Sequence, residues 1–219
     1  MNGQTGQVQE DRRILSILRR RGKAFLTFND ESRLVLPLPV FDLLKINDGE
    51  LYLSSALLSI KEESVELCFA KCCRALSIRW KTTEEMTLSL RDGAWPDIVI
   101  RETVDKLLES GYLNDRRFAL SFAAHRSAKG YGSRRVLSEL LQKGISPTLA
   151  REAVQESTGI GGELEDGLKK ALRKAAAGRN LEDLHDRQKA VASLVRKGYS
   201  YREAKDAVES LVTDNRDNE

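Results

Sequence analysis

The chain repeats one stretch of its own sequence. Residues 140–154, LLQKGISPTLAREAV, recur in related form as residues 194–208, LVRKGYSYREAKDAV. Identical positions include the pairs Lys143-Gly144 and Lys197-Gly198. Another glycine, Gly93, lies about fifty residues before Gly144, and a period of this size indicates stacked structural units. Because a single unit of this kind cannot bury its apolar face alone, the sequence predicts an elongated, curved array of tandem repeats.

Each predicted repeat consists of three helices. From about Ser64 the apolar residues fall at three- and four-residue spacings, which is typical of one buried helix face. Helix starts are indicated by cap residues, namely Thr82 with Glu85, Asn114, Ser133, Ser146, and Ser200 with Glu203. Gly144 follows the last apolar residue of its helix, where a glycine of positive φ is expected. The predicted repeats are residues 61–111, 112–158 and 159–213, with a tail at 214–219.

A small α+β segment is predicted before the repeats. Two β-prone runs, Lys23–Asp30 and Arg33–Leu38, flank the turn-forming residues 29–32 and indicate a hairpin. A short helical pattern, the turn signal Asn47-Asp48-Gly49 and another β-prone run follow. We expect a disordered tail at residues 1–11 and the α+β segment at 12–60. The complete prediction is a mainly α protein with a small N-terminal β-hairpin.

Composition favours a helical cytoplasmic protein. Charged residues make up 32% of the chain and hydrophobic residues 41%, with only 4 prolines. The longest nearly apolar run, Leu34–Phe41, is far shorter than the roughly 20 residues of a membrane span. The polar N-terminus lacks the apolar segment of a secretory signal. We therefore predict no membrane association, a cytoplasmic location and reduced cysteines.

The residues give little support to catalysis or to metal binding. His125 and His185 lie in different repeats, and neither a nucleophile elbow nor a phosphate-binding loop is present in the sequence. The cysteines Cys68, Cys72 and Cys73 lack the second ligand pair of a structural zinc site, so core packing is the favoured interpretation. We expect a protein that is not an enzyme and has no cofactor.

Basic residues are concentrated in the second predicted repeat. Four of them, Arg126, Lys129, Arg134 and Arg135, surround one helix-to-helix turn with few acids nearby, and a partner-binding patch competes here with an ordinary solvated helix face. Tyr131 is interpreted as a mobile aromatic residue of that turn, either a partner contact or a packing residue. We expect reversal of the four charges to leave folding nearly intact. The predicted binding residues are Arg116, Arg117, Arg126, Lys129, Tyr131, Arg134, Arg135 and Lys143.

The sequence from residue 107 to 146 resembles a known family. It reads LLESGYLNDRRFALSFAAHRSAKGYGSRRVLSELLQKGIS and is similar to the central signature of RecX, the bacterial regulatory protein of the RecA recombinase. The signature has a Gly-Tyr-Leu/Ile start, a Lys-Gly-Tyr-Gly turn and a Leu-x-x-Lys-Gly-Ile end. The matching positions are Gly111, Tyr112, Asp115, Arg117, Phe118, Ala119, Lys129, Gly130, Gly132, Arg135, Leu140, Lys143, Gly144 and Ile145.

This resemblance implies a non-enzymatic regulator in DNA repair, homologous recombination and the SOS response. Such a protein binds the RecA nucleoprotein filament on single-stranded DNA and restrains its growth, ATP hydrolysis and strand exchange. Direct contact with single- or double-stranded DNA and a monomeric state are further expectations.

Two alternatives remain open at this point. The segment leading to the third helix of the first predicted repeat, Asp97 to Glu109, also resembles a winged-helix transcription regulator. However, this helix carries Glu102, Asp105 and Glu109 against Arg101 and Lys106, a poor charge balance for a position beside phosphates. A structural scaffold without a link to nucleic acid is the other alternative.

Overall fold

The computed structural model describes residues 12–52, 56–159 and 163–217. The chain divides into two compact lobes, an N-terminal lobe that ends at Leu113 and a C-terminal lobe that begins at Asn114. The predicted disordered tail at residues 1–11 lies outside the described residues. None of the helices in the described ranges is both long and apolar enough to cross a membrane.

A four-stranded antiparallel sheet opens the N-terminal lobe. Its strands are β1 (Arg12–Arg20), β2 (Lys23–Phe28), β3 (Arg33–Pro37) and β4 (Leu51–Tyr52), in the order β3-β2-β1-β4. The predicted hairpin is confirmed as β2 and β3, in which Phe25 lies opposite Val35. Strand β1 was not predicted, and it pairs along most of its length with β2, for example Ile17 with Leu26.

Five helices complete the N-terminal lobe: α1 (Leu38–Leu44), α2 (Ala56–Ser59), α3 (Lys61–Ile78), α4 (Thr83–Asp92) and α5 (Asp97–Glu109). The last three form the first repeat. The predicted apolar stripe of α3 is confirmed, since Cys68, Cys72 and Leu76 are buried. These side chains join the sheet residues Leu26 and Phe28 in one core. The sheet and the first repeat therefore share a hydrophobic core.

The C-terminal lobe contains the second and third repeats. The second consists of α6 (Asp115–Ala128), α7 (Ser133–Gln142) and α8 (Pro147–Gly159), and the third of α9 (Glu163–Ala176), α10 (Leu184–Arg196) and α11 (Tyr201–Asp217). Each repeat has its own core, and buried alanines such as Ala119 and Ala153 in the second and Ala190 and Ala204 in the third are prominent in both. Because alanine is small, it lets helix backbones approach closely. The helices of the three repeats confirm the predicted mainly α repeat fold.

Most predicted helix caps are present. Thr82 and Glu85 form a capping box, and Asn114 accepts a hydrogen bond from the backbone N–H of Arg117 at 2.8 Å. Ser200 and Glu203 form another box, with N···O distances of 2.7 and 3.2 Å. The prediction for Ser133 is wrong. The N-cap of α7 is Gly132, which has no side chain to cap the helix. Carbonyls of the third repeat accept the N–H groups at the start of α7 instead.

The repeats share one turn geometry after their second helix. Gly144 and Gly198 have φ values of 79° and 96°, which confirms the left-handed conformation predicted for Gly144. In the first repeat this conformation belongs to Ala94, with φ of 62°, whereas Gly93 has φ of −72°. The first repeat therefore has Ala94 at this turn position, one residue after the predicted Gly93. In each repeat, the residue after this turn position donates its backbone N–H to a carbonyl near the end of the second helix, as from Trp95 to Leu90 and from Ile145 to Leu140.

Candidate partner-binding surface

The loop of residues 129–132 joins α6 to α7, and five of the eight predicted binding residues lie in it or within three residues of it. It lies against the third repeat. The N–H of Gly132 donates to the carbonyl of Lys197 at 2.9 Å, and the N–H of Arg134 donates to the carbonyl of Gly198 at 3.1 Å. These carbonyls at the end of α10 satisfy donors at the start of α7. The N-terminus of α7 is consequently occupied by protein and is not an open anion site.

Glycines make this contact between the two repeats possible. A Cβ atom at Gly132 would clash with the Gly198 carbonyl carbon and the Tyr199 nitrogen, and one at Gly198 would clash with the Arg135 Cβ. A second such contact lies nearby, where a Cβ at Gly167 of α9 would clash with the Ser127 carbonyl oxygen. The position of the basic loop is thus fixed by backbone-to-backbone packing.

Tyr131 is held between two arginines. The guanidinium of Arg126 lies 3.8 Å from the centre of its ring, and that of Arg135 lies 4.5 Å away. Such cation–π contacts are worth about 0.5–1 kcal/mol each at exposed sites. Of the two roles predicted for Tyr131, these contacts favour packing within its own repeat. Its half-buried ring packs against both guanidinium groups.

Glu139 on α7 binds both of these arginines. Arg126 donates to Glu139 Oε1, and Arg135 Nε donates to the same oxygen at 3.0 Å. Burial of the Glu139 carboxyl raises its pKa, but the hydrogen bonds and charges of Arg126 and Arg135 outweigh burial and hold that pKa below its usual value. The expectation of few acids near the turn overlooked this carboxylate, which neutralises part of the basic cluster.

The four clustered basic residues consequently differ in exposure. The side chain of Arg126 is only 19% exposed, and that of Arg135 is 43% exposed. Lys129 and Arg134 are exposed, and neither forms an ion pair with any residue that the structure describes. The expectation that reversing all four charges would spare the fold assumed four exposed side chains, and this assumption is wrong for Arg126. Lys129 and Arg134 remain as the outward-facing cations.

The third repeat brings a further cation to the loop. Lys197, whose carbonyl accepts from Gly132, is half-buried beside the turn. Burial lowers the pKa of Lys197, the charge of Lys174 lowers it further, and Tyr131 opposes them. Lys174 and Lys197 thus extend the positive surface beyond the second repeat. We define the basic turn surface as Lys129, Arg134, Lys174 and Lys197.

Sequence reasoning missed Lys174 and Lys197 for an identifiable reason. They lie in a different repeat from the turn, and they come near it only because the two repeats pack together, at Gly132 against Lys197 and at Ser127 against Gly167. The repeated Lys-Gly pair, Lys143-Gly144 and Lys197-Gly198, was the one signal available in the sequence. It was used to predict the repeat and not to predict the site.

Arg116 and Arg117, the two predicted site residues at the start of α6, lie on another part of the repeat. Arg116 forms ion pairs with Glu152 at 3.2 Å and Glu156 at 3.3 Å, both on α8. Arg117 is exposed, and its backbone N–H is bound by the Asn114 cap. Arg116 therefore joins two helices of its own repeat.

Lys143 packs on aromatic rings. Its Nζ lies 5.7 Å from the ring centre of Phe118 and 5.6 Å from that of Phe122, and these two rings stack with centres 5.9 Å apart. Both rings are half-buried against the core of the second repeat. This arrangement agrees with the interpretation of Phe118 and Phe122 as core residues, and it leaves Lys143 as a cation at the edge of that core.

The cysteines belong to the N-terminal lobe, and the two histidines lie on α6 and α10 of the C-terminal lobe. Cys68 and Cys72 are buried in the core of the N-terminal lobe. The hydrogen bond that the Cys72 thiol donates to Cys68, together with burial, raises the pKa of the Cys72 thiol, so this thiol stays neutral. His125 and His185 are exposed. In the described ranges, no group of three or more His, Cys, Asp or Glu residues is arranged to hold a metal ion.

Helix α5, which the winged-helix alternative would place in a DNA groove, packs into the lobe. Val99, Ile100 and Leu107 are buried. Its basic residue Lys106 forms an ion pair with Glu66, at an Nζ–Oε1 distance of 2.5 Å, and lies over the ring of Phe69. Burial of one face and pairing of Lys106 leave little positive surface for DNA phosphates.

Comparison with known proteins identifies the family. The family model described as RecX, second three-helix domain, matches residues 114–154, which cover α6, α7 and most of α8. The Regulatory protein RecX of Ectopseudomonas mendocina is 33% identical over 116 residues, or 53% of this chain and 75% of that protein. The chain belongs to the RecX family.

Other RecX proteins align with more of the chain. That of Mycobacteroides abscessus is 31% identical over 155 residues, covering 69% of this chain and 75% of that protein. That of Bacillus velezensis is 29% identical over 156 residues, and the match spans 71% of this chain but 59% of that longer relative. Both names read Regulatory protein RecX, and the chain is accordingly similar to proteins named as regulators.

Solved RecX structures share the fold. A crystal structure of regulatory protein RecX matches 91% of this chain and 99% of its own length, with a TM-score of 0.57 and 17% identity. The structure of RecX from Lactobacillus salivarius matches 70% of this chain and 97% of its own, with a TM-score of 0.56 and 22% identity. At these identities the likeness extends to the fold alone.

Proposed function

We propose that this RecX-family chain binds the RecA filament on single-stranded DNA and restrains its growth, ATP hydrolysis and strand exchange. The basic turn surface of Lys129, Arg134, Lys174 and Lys197 is its main contact. One observation carries the choice of this surface. Lys129 and Arg134 are exposed and form no ion pair within the described part of the chain, whereas Arg116 and Arg126 are paired with glutamates.

The rigidity of the turn supports the proposal. Hydrogen bonds from Gly132 and Arg134 to the end of α10 fix the backbone, and Tyr131 with Glu139 fixes the two inner arginines. A preorganised surface loses less conformational freedom on binding than a flexible loop. Cations held in place in this way suit an acidic protein surface or nucleic-acid phosphates.

Direct contact with single- or double-stranded DNA, a monomeric state and a cytoplasmic location are further parts of the proposal. Unpaired lysine and arginine side chains bind phosphates through charge, without reading base sequence. We therefore expect direct DNA binding to be weak, salt-dependent and independent of sequence. The filament contact then gains specificity from the protein surfaces that RecA contributes.

The test is a double charge reversal, Lys129→Glu with Arg134→Glu, in an assay of RecA-dependent ATP hydrolysis on single-stranded DNA. Both side chains are exposed, so the fold should persist, as circular dichroism would verify. The matched control is Arg33→Glu with Arg74→Glu, which changes the net charge equally at exposed residues of the N-terminal lobe. We expect the first variant to lose at least roughly tenfold in inhibitory potency and the control to keep it.

Two results would overturn parts of this proposal. Equal loss in both double variants would show that net charge matters and that the basic turn surface is not the contact. A wild-type protein that leaves RecA-dependent ATP hydrolysis and strand exchange unchanged would refute the function itself.

A further inference from the structure

A groove runs between α10 and α11 of the third repeat, and none of the residues that line it belongs to the basic turn surface. Its cavity volume is about 490 Å³. The floor and walls are mostly apolar and are formed by Leu184, Val191, Ala192, Val195, Tyr201 and Val208. A space of this size and character is typical of sites that accept a bulky apolar side chain.

Large apolar side chains in this groove are unusually exposed. Leu184 is 63% exposed, Tyr201 66% and Val195 38%. One exposed apolar residue is ordinary, but a contiguous group along one groove indicates a binding surface. Tyrosine is a frequent anchor at such surfaces, because its ring buries a large area while its hydroxyl stays hydrated.

The rim of the groove is basic. Arg187 and Arg196 line it, and neither forms an ion pair within the ranges that the structure describes. The Arg187 Nε is buried and has no hydrogen-bond partner among the described residues. On the opposite rim Lys205 lies 3.7 Å from Glu209. An apolar floor with unpaired arginines complements a segment that presents apolar side chains on one face and carboxylates beside them.

The corresponding face of the second repeat keeps apolar residues such as Leu137 and Leu141 but lacks the tyrosine and the two arginines. With Gly144 aligned on Gly198, Arg196 corresponds to Gln142 and Tyr201 to Pro147. Arg187 corresponds to Ser133, the first residue of α7. In this register α10 begins three residues before the position that corresponds to the start of α7, at Leu184. Packing within a repeat therefore does not require this aromatic and basic set, since the second repeat folds without it.

We infer that the groove between α10 and α11 binds an acidic amphipathic helix of a protein partner, with Tyr201 and Leu184 contacting its apolar face and Arg187 and Arg196 its carboxylates. A helix laid into a groove between two helices is a recurring recognition mode. A second copy of the same groove is disfavoured as the occupant, because the arginines of the two copies would repel each other. A nucleic acid is disfavoured because the floor is apolar.

The test uses a synthetic peptide labelled with fluorescein. It carries leucines at positions i, i+3, i+4 and i+7 of a helix and glutamates on the remaining face. A control peptide has the same composition with the leucines placed at every second position, so that they do not share a helix face. Fluorescence anisotropy with the full-length protein should show binding of the first peptide and at least roughly tenfold weaker binding of the control.

Two variants locate the binding in the groove. Tyr201→Ser removes the exposed ring, and serine is tolerated at a helix start, so the fold should persist. Arg196→Glu reverses a rim charge, and Arg151→Glu, the same reversal at an exposed residue of α8 in the second repeat, is its matched control. We expect both groove variants to weaken peptide binding by about tenfold or more and the control to keep wild-type affinity.

The inference is overturned if wild-type protein binds neither peptide, if it binds both equally, or if the groove variants bind like wild type. Displacement of the peptide by a single-stranded oligonucleotide at equal concentration would assign the groove to nucleic acid instead. Self-association in analytical ultracentrifugation that Tyr201→Ser abolishes would assign it to a second copy. None of these outcomes depends on RecA, so the groove and the proposed function fail separately.

Discussion

The backbone N–H of Gly132 donates to the carbonyl of Lys197 at 2.9 Å, so that the start of α7 rests directly on the end of α10. Gly132 has φ of −78°, a value that any residue adopts, and its lack of a side chain matters only for the approach to Gly198 and Tyr199. Gly132→Ala should therefore destabilise the C-terminal lobe by about 1–3 kcal/mol through overpacking. Denaturant unfolding measures this loss.

Gly178 offers a matched control for Gly132. It has φ of 72°, and a Cβ there would meet nothing within 4 Å. Gly178→Ala should cost about 1 kcal/mol, from backbone strain alone. If Gly132→Ala proves no more destabilising than Gly178→Ala, the close approach of the two repeats is not a tight contact.

The role of Gly132 shows where sequence reasoning stops. Local signals predicted the helix starts at Thr82 and Asn114, because a cap and the N–H group that it binds lie three residues apart. Gly132 is matched to a carbonyl of Lys197, which is 65 residues away in the sequence. Only the packing of α6 and α7 against the third repeat creates that contact, and no local pattern encodes it.

Ala94 and Gly144 occupy equivalent turns with φ of 62° and 79°. An L-residue in this conformation is strained by about 1 kcal/mol relative to glycine. Ala94→Gly should therefore stabilise the protein slightly, by up to about 1 kcal/mol, while Gly144→Val should destabilise it by about 1 kcal/mol or more. Thermal unfolding of the two variants checks the opposite signs, and a shift in the same direction would contradict the shared geometry.

The candidate site was predictable only in part. The cluster of basic residues around the turn was visible in the sequence, yet its charge balance was not. Arg126 and Glu139 lie thirteen residues apart, on two helices that meet only after folding. Strand β1 was missed because the apolar residues of RRILSILRR do not alternate with polar ones, as they do in a half-buried strand. Its place in the sheet depends on pairing with β2.

Glu139 should make stability depend on pH. Its folded-state pKa lies below the ordinary value of 4.5, so its ion pairs contribute fully above that value and are lost as the pH falls through the folded-state pKa. Glu139→Gln should be less stable than wild type by about 1–3 kcal/mol at neutral pH. The difference in free energy of unfolding should shrink as the pH falls below 4.5. A difference that stays constant from neutral to acid pH would show that the charge of Glu139 contributes nothing.

Salt should weaken the proposed contact with the RecA filament, because charges on an exposed surface are screened over roughly 10 Å at 0.1 M ionic strength. Affinity of the wild type for RecA filaments, measured by anisotropy of labelled protein, should fall steeply between about 50 and 200 mM NaCl. The double variant Lys129→Glu with Arg134→Glu should bind more weakly at low salt, and its affinity should depend less steeply on salt, since it has lost the two cations that salt would screen.

The control Arg33→Glu with Arg74→Glu should retain the wild-type dependence of affinity on salt. This comparison separates local charge from net charge and from any effect of salt on RecA itself. Parallel slopes for all three proteins would place the electrostatic contact elsewhere on the chain.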